Sequence, residues 1–187
     1  MSRASLEIEE LFEKREREYL MAKTRVTMRS SLENIDAGDF KIEGVREGED
    51  VEFPRWVAEE LAQLNLAEIS EEPFEAEILR SLSREKMMGP LQLSNLSADF
   101  YLRMRRRLLQ LGTAVKAGKG RREDYDKLRN ASYDLIGMRL GKLLSLSSSS
   151  TQLSSLGDKL TPEEREFFSA AQSVSREWKQ ALLGEVV

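Results

Sequence analysis

The chain has 187 residues, of which 40% are hydrophobic and 33% charged, a globular composition sized for one domain or for a small domain beside a larger one. It has neither cysteine nor histidine, which excludes disulfides, zinc–thiolate centres, thiol nucleophiles and the Ser-His-Asp triad. The formal charge of -4 is unevenly spread: residues 1–73 hold 10 basic and 19 acidic side chains, whereas 100–142 hold 12 basic and 4 acidic. Such a reversal suggests two units with different partners.

Residues 5–21 read as a helix, with Leu11, Phe12 and Tyr19 near one face. Nothing in Met1 to Glu10 resembles an apolar signal core and no apolar run approaches a membrane span, so a cytoplasmic protein is expected. Val26 and Met28 then alternate with Thr27 and Arg29, a short strand signal. Asp39 to Ile42 and Val51 to Phe53 alternate likewise, and between them lies a turn-like acidic segment from Glu47 to Glu52. Pro54 can open the next helix, whose apolar stripe is read as Trp56, Val57, Leu61 and Leu64. Leu66 to Ile69 can close the sheet. Residues 22–72 are therefore expected to form a small β-rich domain, with Phe53, Pro54 and Trp56 in its core.

After the junction Glu71-Glu72-Pro73 the pattern is helical to the end. Ile78 and Leu82 anchor 74–87, and Gly89-Pro90 breaks the chain. Leu96, Phe100, Met104, Leu108, Leu111 and Val115 recur at spacings of three and four, the clearest stripe in the sequence. A further helix is read over roughly 121–146. The serine-rich stretch from Ser145 to Ser155 looks too polar to pack. Thr161-Pro162-Glu163-Glu164 is a strong helix start with a capping box, and Phe167, Ala171, Val174, Trp178 and Leu182 line the helix it opens. The fold class expected is α+β, mostly α. An N-terminal helix over 1–21 and the small β-rich domain precede a bundle of about four helices over 73–187.

No catalytic constellation is present, and no catalytic, cofactor-binding or metal-ligating residue is assigned. The glycines form no phosphate-binding loop. The arginines at 103 and 105–107 read as a phosphate-tracking surface, or as the polar face of an amphipathic helix paired with acids. The second reading is favoured because Phe100 and Met104 fall on the apolar stripe rather than between the arginines. Arg139 stands near its helix stripe between Leu135 and Leu143, where a guanidinium needs carboxylates or carbonyls, within the chain or across an interface. Phe167, Phe168 and Trp178 suit either a core or an obligate interface.

The order of these features resembles the GINS replication family. Gly48-Glu49-Asp50-Val51-Glu52-Phe53-Pro54-Arg55-Trp56-Val57-Ala58 is similar to the motif of that family's small β-rich domain. Leu91 to Leu96 with Phe100-Tyr101, the run Ile136 to Leu143 containing Arg139 and Lys142, and Leu160 to Glu164 with Trp178 resemble its helical domain. With the small domain first, the order resembles the archaeal two-three subunit type. The resemblance implies a non-enzymatic scaffold, nucleoid-associated, that assembles with a related GINS subunit as a tetramer and joins the MCM helicase to a RecJ-like protein. Phe100, Tyr101, Arg139, Lys142, Phe167, Phe168 and Trp178 are the interface candidates. The alternative is a helical nucleic-acid-binding module using the basic 100–142 face, although the low overall pI makes DNA contact a weak expectation.

Overall fold

A computed structural model describes residues 3–37, 40–149 and 153–184. The chain forms two compact units, Met1–Glu72 and Pro73–Val187.

The first unit opens with helix α1, Arg3–Met21, followed by strand β1, Lys23–Met28. A hairpin of β2, Ile35–Ala37, and β3, Phe40–Ile42, comes next, and Leu32 and Val45 continue it as an isolated bridge. Strand β4, Asp50–Pro54, leads directly into helix α2, Arg55–Gln63, and β5, Ala67–Ile69, ends the unit. The sheet order is β4-β1-β5, all antiparallel, with Val26 opposite both Val51 and Ile69.

Alternation along β1 settles which face is which. Thr24, Val26 and Met28 are buried, and they meet Phe53, Ala67 and the inner face of α2, made of Val57, Ala58 and Leu61. The opposite face is a ladder of cross-strand charges. Arg25 donates to Asp50 at 3.0 Å, Arg29 donates to Glu68 at 2.8 Å, and Lys23 lies 3.9 Å from Glu52.

Trp56 departs from the expected core position: it is 42% exposed, while Phe53 is buried and Pro54 half-buried. Successive helix residues rotate by about 100°. Val57, Ala58 and Leu61 occupy the arc facing the sheet, which swings Trp56 to the flank. Leu64, at the helix end, is also exposed. Arg55 is buried instead. Its guanidinium lies 4.3 Å from the Tyr19 ring centre and pairs with Glu71, so it ties α1 and the unit's last residues to α2.

The second unit consists of α3, Phe74–Met87, α4, Phe100–Lys116, α5, Arg122–Ser147, the short α6, Leu153–Leu156, a single 3-10 turn at Gly157–Lys159, and α7, Pro162–Leu183. Helix α5 is the central element and packs against α3, α4 and α7. Its first half joins Phe74, Ile78, Leu82, Phe100 and Met104 in one core. Its second half, through Leu143 and Leu146, joins Leu93, Leu156, Leu160 and Phe168 in another. Helix α4 stops at Gly118, whose φ of 69° lets the Lys119 and Gly118 amides reach back to the carbonyls of Ala114 and Val115.

The serine-rich stretch is partly packed rather than uniformly loose. Ser147 is buried within α5, and Leu156 is buried beyond the stretch. The hydroxyls of Ser147 and Ser149 bond back to the carbonyls of Leu144 and Leu146, which substitutes for backbone partners at the helix end. Residues 150–152 of the stretch lie outside the described residues.

Candidate functional site

The α5 face that packs inward carries two cations, Arg139 and Lys142, on adjacent turns. Arg139 is wholly buried. Its guanidinium donates to Glu85 Oε2 at 2.9 Å, to the Ser94 carbonyl at 2.8 Å and to the Lys159 carbonyl at 3.0 Å. It also grips Glu164 through two donors: Nε bonds to Oε1, and Nη2 bonds to Oε2 at 2.7 Å. Lys142 donates to Glu85 Oε1 at 2.7 Å and to the Glu85 carbonyl at 2.9 Å. The Tyr101 hydroxyl donates to Glu164 Oε1 at 2.7 Å, and the Ser94 amide and hydroxyl both donate to Glu85.

Two cations thus face two carboxylates, and the cluster is neutral. Its members come from α3, the α3–α4 connection, α4, α5, the turn before α7, and α7 itself. Burying an ion costs several kcal/mol unless it is paired and its remaining hydrogen-bonding sites are filled. Here both carboxylates accept several bonds each. Burial alone pushes the Glu85 carboxyl up, but hydrogen bonds from Lys142 and Ser94 and the nearby Arg139 charge outweigh it and hold the group below its ordinary range. Burial would also pull the Arg139 guanidinium down, yet Glu164 and Glu85 raise it. Burial and the Glu164 carboxylate push the Tyr101 phenol up, so it stays a donor.

This placement revises the interface candidates. Phe100 and Phe168 are fully buried within the unit: Phe100 meets the Phe74 ring at 5.2 Å, and Phe168 closes the second core. Arg139 and Lys142 are internal, and Tyr101 is half-buried with its hydroxyl on the cluster. Phe167 packs partly against the second core. Among the seven, Trp178 is the one that stands well clear, at 66% exposure. The reason is periodicity. Ala171, Val174, Trp178 and Leu182 continue the stripe that Phe167 begins, but the described bundle packs against the first half of α7.

Sequence reasoning missed Glu85 altogether and saw Glu164 only as a cap. Glu85 stood in view: it falls three residues after Leu82 and seven after Ile78, in the stripe of α3, where an apolar residue belongs. A carboxylate in that position signals a buried cation. Also missed was a second apolar face on α5. Tyr133, Ile136, Leu140 and Leu144 are exposed and recur at three and four residues, with Gly137 and Gly141 beside them. A helix that is apolar on two faces shows only a blurred stripe in sequence.

The basic 100–142 segment is largely engaged. Arg103 lies 2.8 Å from Glu77 and 5.4 Å from the Phe74 ring centre, and Arg107 donates to Glu75 at 2.7 Å. Arg121 pairs with Glu123 and Arg122 with Asp126. Arg139 and Lys142 are in the cluster. Paired with acids, these groups make a poor continuous track for phosphates. The acidic turn is partly engaged too: Thr27 and Arg25 bond to Asp50 and hold its carboxyl low, and Glu49 accepts from the Arg46 amide.

Among the described residues no group of three or more acidic side chains could hold a metal ion, and no helix is long and apolar enough to cross a membrane. A search of curated proteins returned no match. A family model of the GINS complex protein helical bundle domain, Sld5, matches residues 63–183, from the end of α2 through the whole of α7. That match covers well over half of the chain and contains every member of the buried cluster and both exposed helix faces. The chain belongs to the GINS family and is a replication-associated GINS subunit.

Proposed function

We propose that this subunit is a scaffold without a catalytic centre, in which the helical unit assembles with sister GINS subunits and the small unit docks other replication proteins. The observation that carries the reading is the apolar stripe on the second half of α7. Val174, Trp178 and Leu182 are each about two-thirds exposed, on a helix whose first half is locked into the bundle. A large tryptophan flanked by aliphatic groups is the composition of an interface anchor. The outer face of α5 offers a second stretch of the same kind. The buried cluster fixes the start of α7 and the middle of α5, and so presents both faces on a rigid support. The small unit placed first resembles the archaeal two-three arrangement, and on that basis the partners bridged are the MCM helicase and a RecJ-like protein, within a tetramer in the nucleoid.

Mass measurement of the purified chain, alone and with a sister subunit, tests the assembly. The native chain is expected to run as an oligomer and the Trp178→Ala, Leu182→Ala double variant as a folded monomer. A native chain that stays monomeric at micromolar concentration with and without a sister subunit overturns the reading. The bridging claim is tested separately, by whether the small unit retains an MCM or RecJ-like protein on a column.

A further inference from the structure

The end of α5 and the flank of α7 border an open cleft of about 580 Å³. Among the described residues its lining is Ser, Gln, Arg and Lys throughout. Ser169, Arg176 and Gln180 stand along α7, Ser175 and Lys179 lie on the same helix nearer α5, and Ser147 forms part of the opposite wall.

The balance of donors and acceptors points to one kind of ligand. Lys179 Nζ donates to the Ser148 carbonyl at 2.6 Å, which places a cation on the negative end of α5. The hydroxyls of Ser147 and Ser149 cover two more carbonyls there. The end of α5 would otherwise repel an anion, and these groups mask it. Arg176 has no hydrogen bond or ion pair among the described residues and is therefore uncommitted. Ser169, Ser175 and Gln180 add hydroxyl and amide donors. The nearest carboxylate in sequence, Glu177, accepts from the lining Ser173 hydroxyl at 2.9 Å, which engages one of its oxygens at the edge of the cleft. Two cations set among hydroxyl and amide donors suit an oxyanion. Among the described lining residues there is no aromatic ring on which a base could stack.

The geometry points to a phosphate-ester site in this cleft, with Arg176 as the principal contact and Lys179 and the α7 hydroxyls in support. The phosphate is recognised and the rest of the ligand is not, so the ester comes either from a single-stranded nucleic-acid backbone or from a free nucleoside monophosphate. This site is separate from the basic 100–142 segment, whose arginines are mostly paired. It is also independent of the proposed assembly, because it faces away from the Val174–Trp178–Leu182 stripe.

Fluorescence anisotropy with a labelled 20-nucleotide oligothymidylate, and calorimetry with thymidine monophosphate, test the proposal on the full chain. Binding in either arm identifies the source. Arg176→Ala is expected to weaken it about tenfold and, for the oligonucleotide, to reduce the slope of log affinity against log salt by about 0.7, the loss of one single-strand phosphate contact. Ser169→Glu, which sets a carboxylate into the cleft on the helix surface, is expected to do the same. Lys127→Ala, on the basic segment, should leave binding unchanged. Circular dichroism and native mass confirm that each variant is folded and assembled as the parent, which separates this test from that of the scaffold. No binding in either arm overturns the proposal, as does binding that Lys127→Ala weakens and Arg176→Ala does not.

Discussion

Glu85 accepts bonds from a lysine, a serine hydroxyl, a backbone amide and a guanidinium, yet water does not reach it. Its carboxyl is held below its unfolded value, so its contribution to stability is complete above the ordinary glutamate range near 4.3 and is lost as pH falls through the lower folded value. The native chain should therefore lose stability steeply in acid. In Glu85→Gln that part of the acid dependence should vanish, and the neutral-pH free energy of unfolding should drop by about 3–5 kcal/mol because two buried cations lose a partner. Denaturant titrations at a series of pH values check both. In the small unit the two aromatic neighbours of Pro54 separate cleanly. Phe53→Ala should cost about 3–5 kcal/mol, as truncation of a buried ring does. Trp56→Ala should cost well under half of that, because the ring lies on the flank of α2. Thermal melts of the two variants rank them, and equal losses would place Trp56 back in the core.

At the scale of the helix, α7 shows how much was legible before any coordinates. Thr161 accepts from the Glu164 amide, and the Glu164 side chain accepts from the Thr161 amide at 3.0 Å, as the run Thr161-Pro162-Glu163-Glu164 announced. Local capping is written in local sequence, so start signals of this kind read well. The strands β1 and β4 read well for the same reason, since alternation belongs to consecutive residues. What did not read was which aromatic groups face inward. Phe100, Phe168 and Trp178 sit on similar stripes, and their burial depends on where a neighbouring helix stops. The pairing of Glu85 with α5 was hidden too, because its partners lie 54 and 57 residues away. Glu164 carries both the cap and the Arg139 pair. Thr161→Ala should therefore cost more than the ordinary ~1 kcal/mol of a lost cap, because the buried Glu164 amide loses its acceptor in the turn that presents the carboxylate to Arg139. The midpoint of thermal unfolding, set beside that of a half-buried Ser173→Ala control, measures the excess.

For the whole chain, the division at Glu72 has an experimental meaning. Each unit has its own core, Val26 with Phe53 and Leu61 in one, Ile78 with Phe100, Leu135 and Phe168 in the other. A chain beginning at Pro73 should fold with full helicity and a cooperative melt, because every partner of its buried charges lies within it. Loss of cooperative melting in that fragment would mean that the first unit supplies part of the second unit's stability. The family match begins at residue 63, inside the first unit, so the same experiment started at Gln63 separates a boundary of sequence similarity from a boundary of folding.

The neutral cluster around Arg139 also bears on time. Its hydrogen-bonded partners lie 9 to 63 residues apart, and a half-built version strands a desolvated charge. Such an arrangement offers nothing to a partly organised chain, so it is expected to close after the rate-limiting barrier, once the helices are in place. A substitution there should then act on the exit from the native state rather than on the entry. In a chevron measurement on the helical fragment, Arg139→Met should steepen escape by orders of magnitude while the folding limb barely moves. The lifetime of a folded subunit, and with it the time a partner has to find it, would then be set by one guanidinium.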